Sequence, residues 1–188
     1  MNLVCFTEEQ SAKEMLQVVL PKILPDNCPL SRVIAFEGKS DLDKQIERKL
    51  KIYNTPNTHF LILRDQDSAD CTKVKQQLLT KVKNSGKTKV SIVRIACHEL
   101  ENFYLGDLSA IERAFDERLS LNQASKKFRN ADNLTNAKQE LQKITKKKYQ
   151  PISGSRAIAP YLELNGDNTS ISFNMLLSGI QKLCTIQP

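Results

Sequence analysis

Phe60-Leu61-Ile62-Leu63-Arg64-Asp65-Gln66-Asp67-Ser68 is the stretch whose reading decides the fold: an apolar run, one basic residue, then two carboxylates two positions apart. A continuous apolar run without alternation is the pattern of a strand covered on both faces, as in a parallel sheet. Leu3–Phe6, Arg32–Phe36 and Val90–Ala96 read the same way. Helical spacing fills the intervals. Ser11–Ile23 carries Met15, Leu16, Val19 and Leu20; Asp41–Tyr53 carries Leu42, Ile46, Leu50 and Tyr53; Thr72–Val82 carries Val74, Leu78, Leu79 and Val82. Such alternation predicts an α/β fold, a mainly parallel sheet of about four strands flanked by crossover helices.

Beyond the fourth run the alternation stops. Glu99–Phe115 reads as one helix, Ser120–Asn133 as a polar stretch and Asn136–Lys148 as a basic helix. A short helix is expected around Ala157–Leu162, and Asn165-Gly166-Asp167-Asn168 is a turn cluster before a last helix at Ser172–Leu183. Residues 1–118 are thus expected to form the α/β domain, and 119–188 a helical C-terminal cap packed on it.

The chain has 188 residues, 40% hydrophobic and 26% charged, ordinary values for one soluble globular domain. No apolar run approaches the ~20 residues that span a bilayer, and no basic segment followed by a long apolar one opens the chain. Five dispersed cysteines, an odd number, argue against a disulfide framework or a zinc knuckle and for a reducing compartment, so a cytoplasmic protein is expected. A net charge of +7 and a pI near 9.2 favour acidic partners, nucleic acid first. Lys143, Lys146, Lys147 and Lys148 would lie along one helical face able to follow a phosphate backbone, and Ser153, Ser155 and Arg156 could return a phosphate-binding turn.

In an open α/β sheet, ligands bind beyond the carboxyl ends of the strands. Asp65 and Asp67 lie there, and in extended chain they would face one side. Glu8 follows the first strand; Glu99 and Glu101 follow the fourth. Carboxylates crowded into one crevice repel, and a hard cation such as Mg²⁺ or Mn²⁺ relieves this. A pair of such ions can clamp the attacking and leaving oxygens of a phosphodiester. The plainer role for acids at a strand end is helix capping, for which Ser68 and Asp70 are placed. Lys39, after Gly38 at a strand-to-helix turn, could meet a phosphate, but the upstream glycine of a P-loop is missing. Two histidines without Cys–His spacing make a zinc hydrolase a poor reading.

Asp65-Gln66-Asp67 after an apolar strand, with an acid after the first strand, resembles the Toprim fold of topoisomerases, primases and OLD-type nucleases. More closely, the chain resembles a family of uncharacterised bacterial Toprim-like proteins often encoded beside ATPases in defence loci. The residues that carry the likeness are Glu8, Gly38-Lys39-Ser40-Asp41-Leu42, Leu63-Arg64-Asp65-Gln66-Asp67 and Glu99-Leu100-Glu101-Asn102-Phe103. One departure matters. Toprim proteins usually follow the glutamate with glycine, whereas Glu9 follows Glu8, and Phe36-Glu37-Gly38-Lys39 is the more literal match. Strand order favours Glu8, with Glu37 in reserve. The resemblance implies a Mg²⁺- or Mn²⁺-dependent nuclease. Glu8, Asp65 and Asp67 would hold the ion, Glu99 and Glu101 would complete a second position or orient water, and Lys39 would stabilise charge on the phosphate. The alternative is a non-catalytic Toprim-like subunit of an ATPase encoded nearby.

Overall fold

The four apolar runs form one sheet. In a computed structural model, which describes residues 1–185, the strands are β1 (Asn2–Thr7), β2 (Leu30–Ala35), β3 (Thr58–Asp65) and β4 (Ser91–Ala96). They lie in the order β2-β1-β3-β4, and every pairing is parallel. β3 is longer than its apolar run: it takes in Thr58, His59, Arg64 and Asp65, because a strand paired on both sides satisfies the backbone of polar residues too.

The order of strands dictates the layers. From β1 the chain moves outward to β2, then returns past β1 to β3 and on to β4. Right-handed crossovers in opposite directions must lie on opposite faces. Helix α1 (Gln10–Ile23) accordingly covers one face, where Leu3, Cys5, Leu61 and Leu63 point. Helices α2 (Lys39–Lys51) and α3 (Cys71–Asn84) cover the other, against Val4, Phe6, Phe60, Ile62 and Val93. Asp70 caps α3, accepting from the Lys73 amide at 2.8 Å.

The rest of the chain joins the α1 face. It comprises α4 (Glu101–Leu105), α5 (Leu108–Phe115), α6 (Ala137–Ile144), α7 (Pro151–Ile158) and α8 (Ile171–Thr185). Phe103, Tyr104, Ile111, Tyr149, Ile158 and Phe173 share one apolar cluster with α1, and α8 lies along β4. No helix among the described residues is long and apolar enough to cross a membrane.

Three helical expectations are corrected. Glu99–Phe115 is not one helix: it breaks at Gly106-Asp107, where Asp107 caps α5 and the Gly106 carbonyl accepts from the Thr169 amide at 2.9 Å. The basic helix stops at Ile144, because Lys146 and Lys147 take left-handed conformations, φ 51° and 66°. The short helix lies earlier, at Pro151–Ile158, started by a proline whose missing N–H costs nothing in the first turn. A β-carbon at Gly106 would overlap the Asn168 side chain and lie 2.7 Å from the Ser170 backbone nitrogen. Gly106→Ala is therefore expected to lower the free energy of unfolding by about 1–3 kcal/mol in urea melts, with an unchanged m-value.

Candidate metal centre

Parallel pairing sets Thr7 beside Leu63, so the residues just past it, Glu8 and Arg64, emerge together at the carboxyl edge. The Glu8 amide donates to the Leu63 carbonyl at 3.2 Å. Glu8 Oε2 in turn accepts from the Asp65 amide at 3.2 Å. Glu8 is 7% exposed. Burial, and then the charge of Asp67, push its carboxyl up to about 6, against the opposing pull of the Asp65 amide and the Arg64 guanidinium. The reserve residue Glu37 is exposed after the edge strand β2, one strand further from β3. Glu8, and not Glu37, is the glutamate that meets Asp65.

Arg64 and Asp65 leave the strand on opposite faces. Arg64, 7% exposed, holds Asp43 of α2 through Nη1 at 3.1 Å to both carboxylate oxygens, while its Nε lies 3.7 Å from Glu8 without a hydrogen-bond partner. Asp65 points to the C-terminal side, where its Oδ2 accepts from the Leu100 amide at 3.0 Å. Burial raises this carboxyl well above the ordinary range, against the Leu100 hydrogen bond, and the charges of Glu101 and Glu8 add to the rise.

Asp67 does not share the side of Asp65 in the extended manner expected. β3 ends at Asp65, and Asp67 adopts φ 55°. Its amide donates to the His98 carbonyl at 2.8 Å, and its carboxylate pairs with Lys39 Nζ at 2.9 Å. Gly38, with φ 91°, makes the turn that starts α2 and sets Lys39 there; its amide donates to the Glu8 carbonyl at 3.0 Å. The Asp67 carboxylate raises the proton affinity of Lys39. Their contact is solvent-exposed and hence easily exchanged.

The acids after β4 separate. Glu99 lines a cavity of about 460 Å³ with Asp67, Ser68, His98 and Thr135, while its Oε2 accepts the Lys138 amide at 2.7 Å near the start of α6. Glu101 turns into the core, 5% exposed, accepting from the Tyr149 hydroxyl at 2.9 Å. Burial raises its carboxyl, against the Tyr149 hydrogen bond. Asn102 holds this loop in place. Its Oδ1 accepts the His98 and Glu99 amides, and its Nδ2 donates to the carbonyls of Ala131 and Leu134. Arg64 and Asn102 both lie inside the motif segments, but no spacing rule marked them as site residues. His98 Nδ1 is 3.2 Å from the Asp67 carbonyl, which can only accept, so the proton sits on Nδ1.

Among the described residues, no three His, Cys, Asp or Glu side chains form a ready cage for an ion. The donor set nonetheless fits a hard divalent cation, which needs one or two carboxylates and keeps its waters. Two carboxyls, the buried Glu8 and the half-buried Asp65, are raised by lost hydration and by neighbouring acids, and a lysine ammonium already rests on the third.

The basic residues divide. Lys146 and Lys148 both pair with Glu117, at 2.7 and 2.8 Å, and Arg156 pairs with Glu14 at 3.0 Å. Ser155 is buried, accepting from the Tyr104 hydroxyl at 2.7 Å, so the Ser153–Arg156 segment is no phosphate-binding turn. Lys143, Lys146 and Lys147 line a groove of about 530 Å³ with Gln139, Gln142 and Gln150.

A four-stranded parallel sheet, with carboxylates gathered past its two central strands and helices on both faces, defines an α/β protein with an acidic crevice at the carboxyl edge of the sheet. The chain belongs to the family described as "Domain of unknown function (DUF4276)", whose model matches residues 7–181. Its fold is similar to that of the "C-terminal region of the Burkholderia pseudomallei OLD protein", with a TM-score of 0.55, 15% identity and coverage of 97% of this chain and 98% of that one. None of the curated proteins matches the chain.

A carboxyl raised on folding binds its proton more tightly in the folded state. The stability that goes with that proton is present below 4.5 and is lost as pH rises through about 6. Glu8→Gln keeps an acceptor for the Asp65 amide and removes the charge. It is therefore expected to melt higher than the parent at pH 8 without divalent ions, by about 1–2 kcal/mol, with the difference closing at pH 4.

Proposed function

We propose that the protein is a Mg²⁺- or Mn²⁺-dependent phosphodiesterase of nucleic acid, with Glu8, Asp65 and Asp67 as the ion-holding residues. The observation that carries this reading is the meeting of Glu8 with Asp65 through the 3.2 Å amide contact, at the point where the β1 and β3 connections diverge to opposite faces. The resemblance to OLD-type nucleases, and the fold likeness to an OLD C-terminal region, support it. A bound ion would supply Lewis-acid activation of water and neutralise charge on the phosphate.

The chain's own residues divide the remaining work. One carboxylate must accept a proton from the attacking water. Glu8 suits this: Oε2 accepts from the Asp65 amide, with Arg64 Nε 3.7 Å away, and Oε1 takes no hydrogen bond from the described residues. Lys39, whose exposed contact with Asp67 is easily exchanged, lies at a helix start where it would meet developing negative charge. Glu99, beside Asp67 in the cavity, is positioned for a second ion or an oriented water, whereas Glu101 acts from the core through Tyr149. Lys143 and Lys147, which pair with no acid among the described residues, are the residues of the basic groove for the nucleic-acid backbone.

A second reading, a non-catalytic subunit docked on an ATPase, draws on the exposed apolar side chains of the C-terminal helices: Ile171 is 62%, Met175 52% and Ile152 47% exposed. Cleavage separates the two. Plasmid, linear DNA, tRNA and single strands are incubated with Mn²⁺, with and without any neighbouring ATPase, using the parent chain and Asp65→Asn. The nuclease reading expects cleavage that EDTA abolishes and that Asp65→Asn lowers by more than about 100-fold; an uncut panel in every combination rejects it. In binding assays, Lys143→Ala/Lys147→Ala is expected to make the salt dependence of log K shallower by about 2.

A further inference from the structure

Cysteines remote in sequence meet in space. Cys28 and Cys184 have their sulfurs 2.9 Å apart, but both are buried in the core. Cys71 and Cys97, 26 positions apart, have sulfurs 3.8 Å apart and are only half-buried. Cys97 lines a cavity of about 230 Å³ together with Cys71, Lys75, Arg94, Asp132 and Met175. This pair flanks the carboxylate loop. Cys71 is the first residue of α3, four positions after Asp67, and Cys97 immediately precedes His98. Asp67 and His98 are tied by two hydrogen bonds, one from the Asp67 amide to the His98 carbonyl and one between His98 Nδ1 and the Asp67 carbonyl.

We propose that Cys71 and Cys97 are a modification site: a dithiol that a hydroperoxide entering this cavity converts to a disulfide. Whichever thiol reacts first attacks a peroxide oxygen; the S–O bond forms, the O–O bond breaks, and with hydrogen peroxide one water leaves. The other thiol then attacks that sulfenic sulfur; the S–S bond forms, the S–O bond breaks, and a second water leaves. Two electrons pass from the thiols to the peroxide, and both thiol protons end in water. A disulfide needs a sulfur separation near 2 Å, so closure must draw the start of α3 towards the Cys97-His98 segment. Asp67 lies four positions before the first of these points and His98 belongs to the second, and the hydrogen bonds between them shift with closure. The buried pair serves as the internal control, since Cys28 and Cys184 both lie in the core.

Sequence makes the test unambiguous. Trypsin cuts after Arg64, Lys73, Arg94 and Arg113, which leaves Cys71 on peptide 65–73 and Cys97 on peptide 95–113, each without another cysteine. The reduced full-length chain is treated with hydrogen peroxide, remaining thiols are alkylated, and the digest is mapped without reduction. The expected result is a 65–73/95–113 crosslink, two hydrogens lighter than the separate peptides, with Cys28 alkylated. The backbone amide resonances of Asp67 and His98 should move on oxidation and return with dithiothreitol. Cys71→Ser should abolish both the crosslink and the reversible shifts. Recovery of Cys71 and Cys97 on separate peptides, whether alkylated or over-oxidised, overturns the proposal. So does a crosslink confined to Cys28 and Cys184. These readouts are independent of metal binding and cleavage, so they stand or fall apart from the nuclease reading.

Discussion

The parallel pairing of β1 with β3 is the constraint from which the rest of the site follows. It joins strands that are not consecutive in the chain, so the connections leaving them must diverge to opposite faces of the sheet. A crevice opens between those connections, with the first residues past β1 and the last residues of β3 as its floor. The register does the fine placement. With Thr7 opposite Leu63, the carboxylate of Glu8 reaches the backbone amide of Asp65. A slip of one residue would send Glu8 to the other face of the sheet.

The acids placed there work against the fold. Glu8 and Asp65 lose hydration, and the charges of Asp67, Glu101 and Glu9 raise them further. The chain offsets this only in part. Arg64 is shared between Glu8 and Asp43, and Lys39 reaches Asp67 from the turn that Gly38 makes. The far wall comes from the C-terminal half. Asn102 ties the loop after β4 to residues 131 and 134, and Asp132 accepts from the amide and hydroxyl of Ser172 at the start of α8. These contacts join the cap to the strand ends, and α4–α8 share the α1-side core. Charge that is unfavourable in isolation, held rigidly from both sides, is the arrangement expected of a site completed by a cation.

Local features were legible in the sequence, and features made by distant residues were not. The strands were visible because each carries an apolar run, buried on both faces in the central β1 and β3, and Glu8 was preferred to Glu37 by strand order alone. The break at Gly106 was hidden because the Thr169 amide that meets its carbonyl comes from more than sixty residues on. The partner of Lys146 and Lys148 was hidden because Glu117, which pairs with both, lies 29 and 31 positions before them. Asp67 faces Lys39 because its left-handed backbone ends the extended geometry that the two-residue spacing presumed. The cysteines, dispersed in sequence, are paired only by the fold.

Glu8, Asp65 and Asp67 are proposed to attract one divalent cation, and paramagnetic broadening by Mn²⁺ tests that most directly. In a two-dimensional amide spectrum of the full chain, substoichiometric Mn²⁺ should broaden first the resonances of residues 8, 65–67 and 98–100. The effect should vanish in Asp65→Asn and be reversed by EDTA. Broadening that spares these residues, or that is unchanged in the variant, would contradict the account.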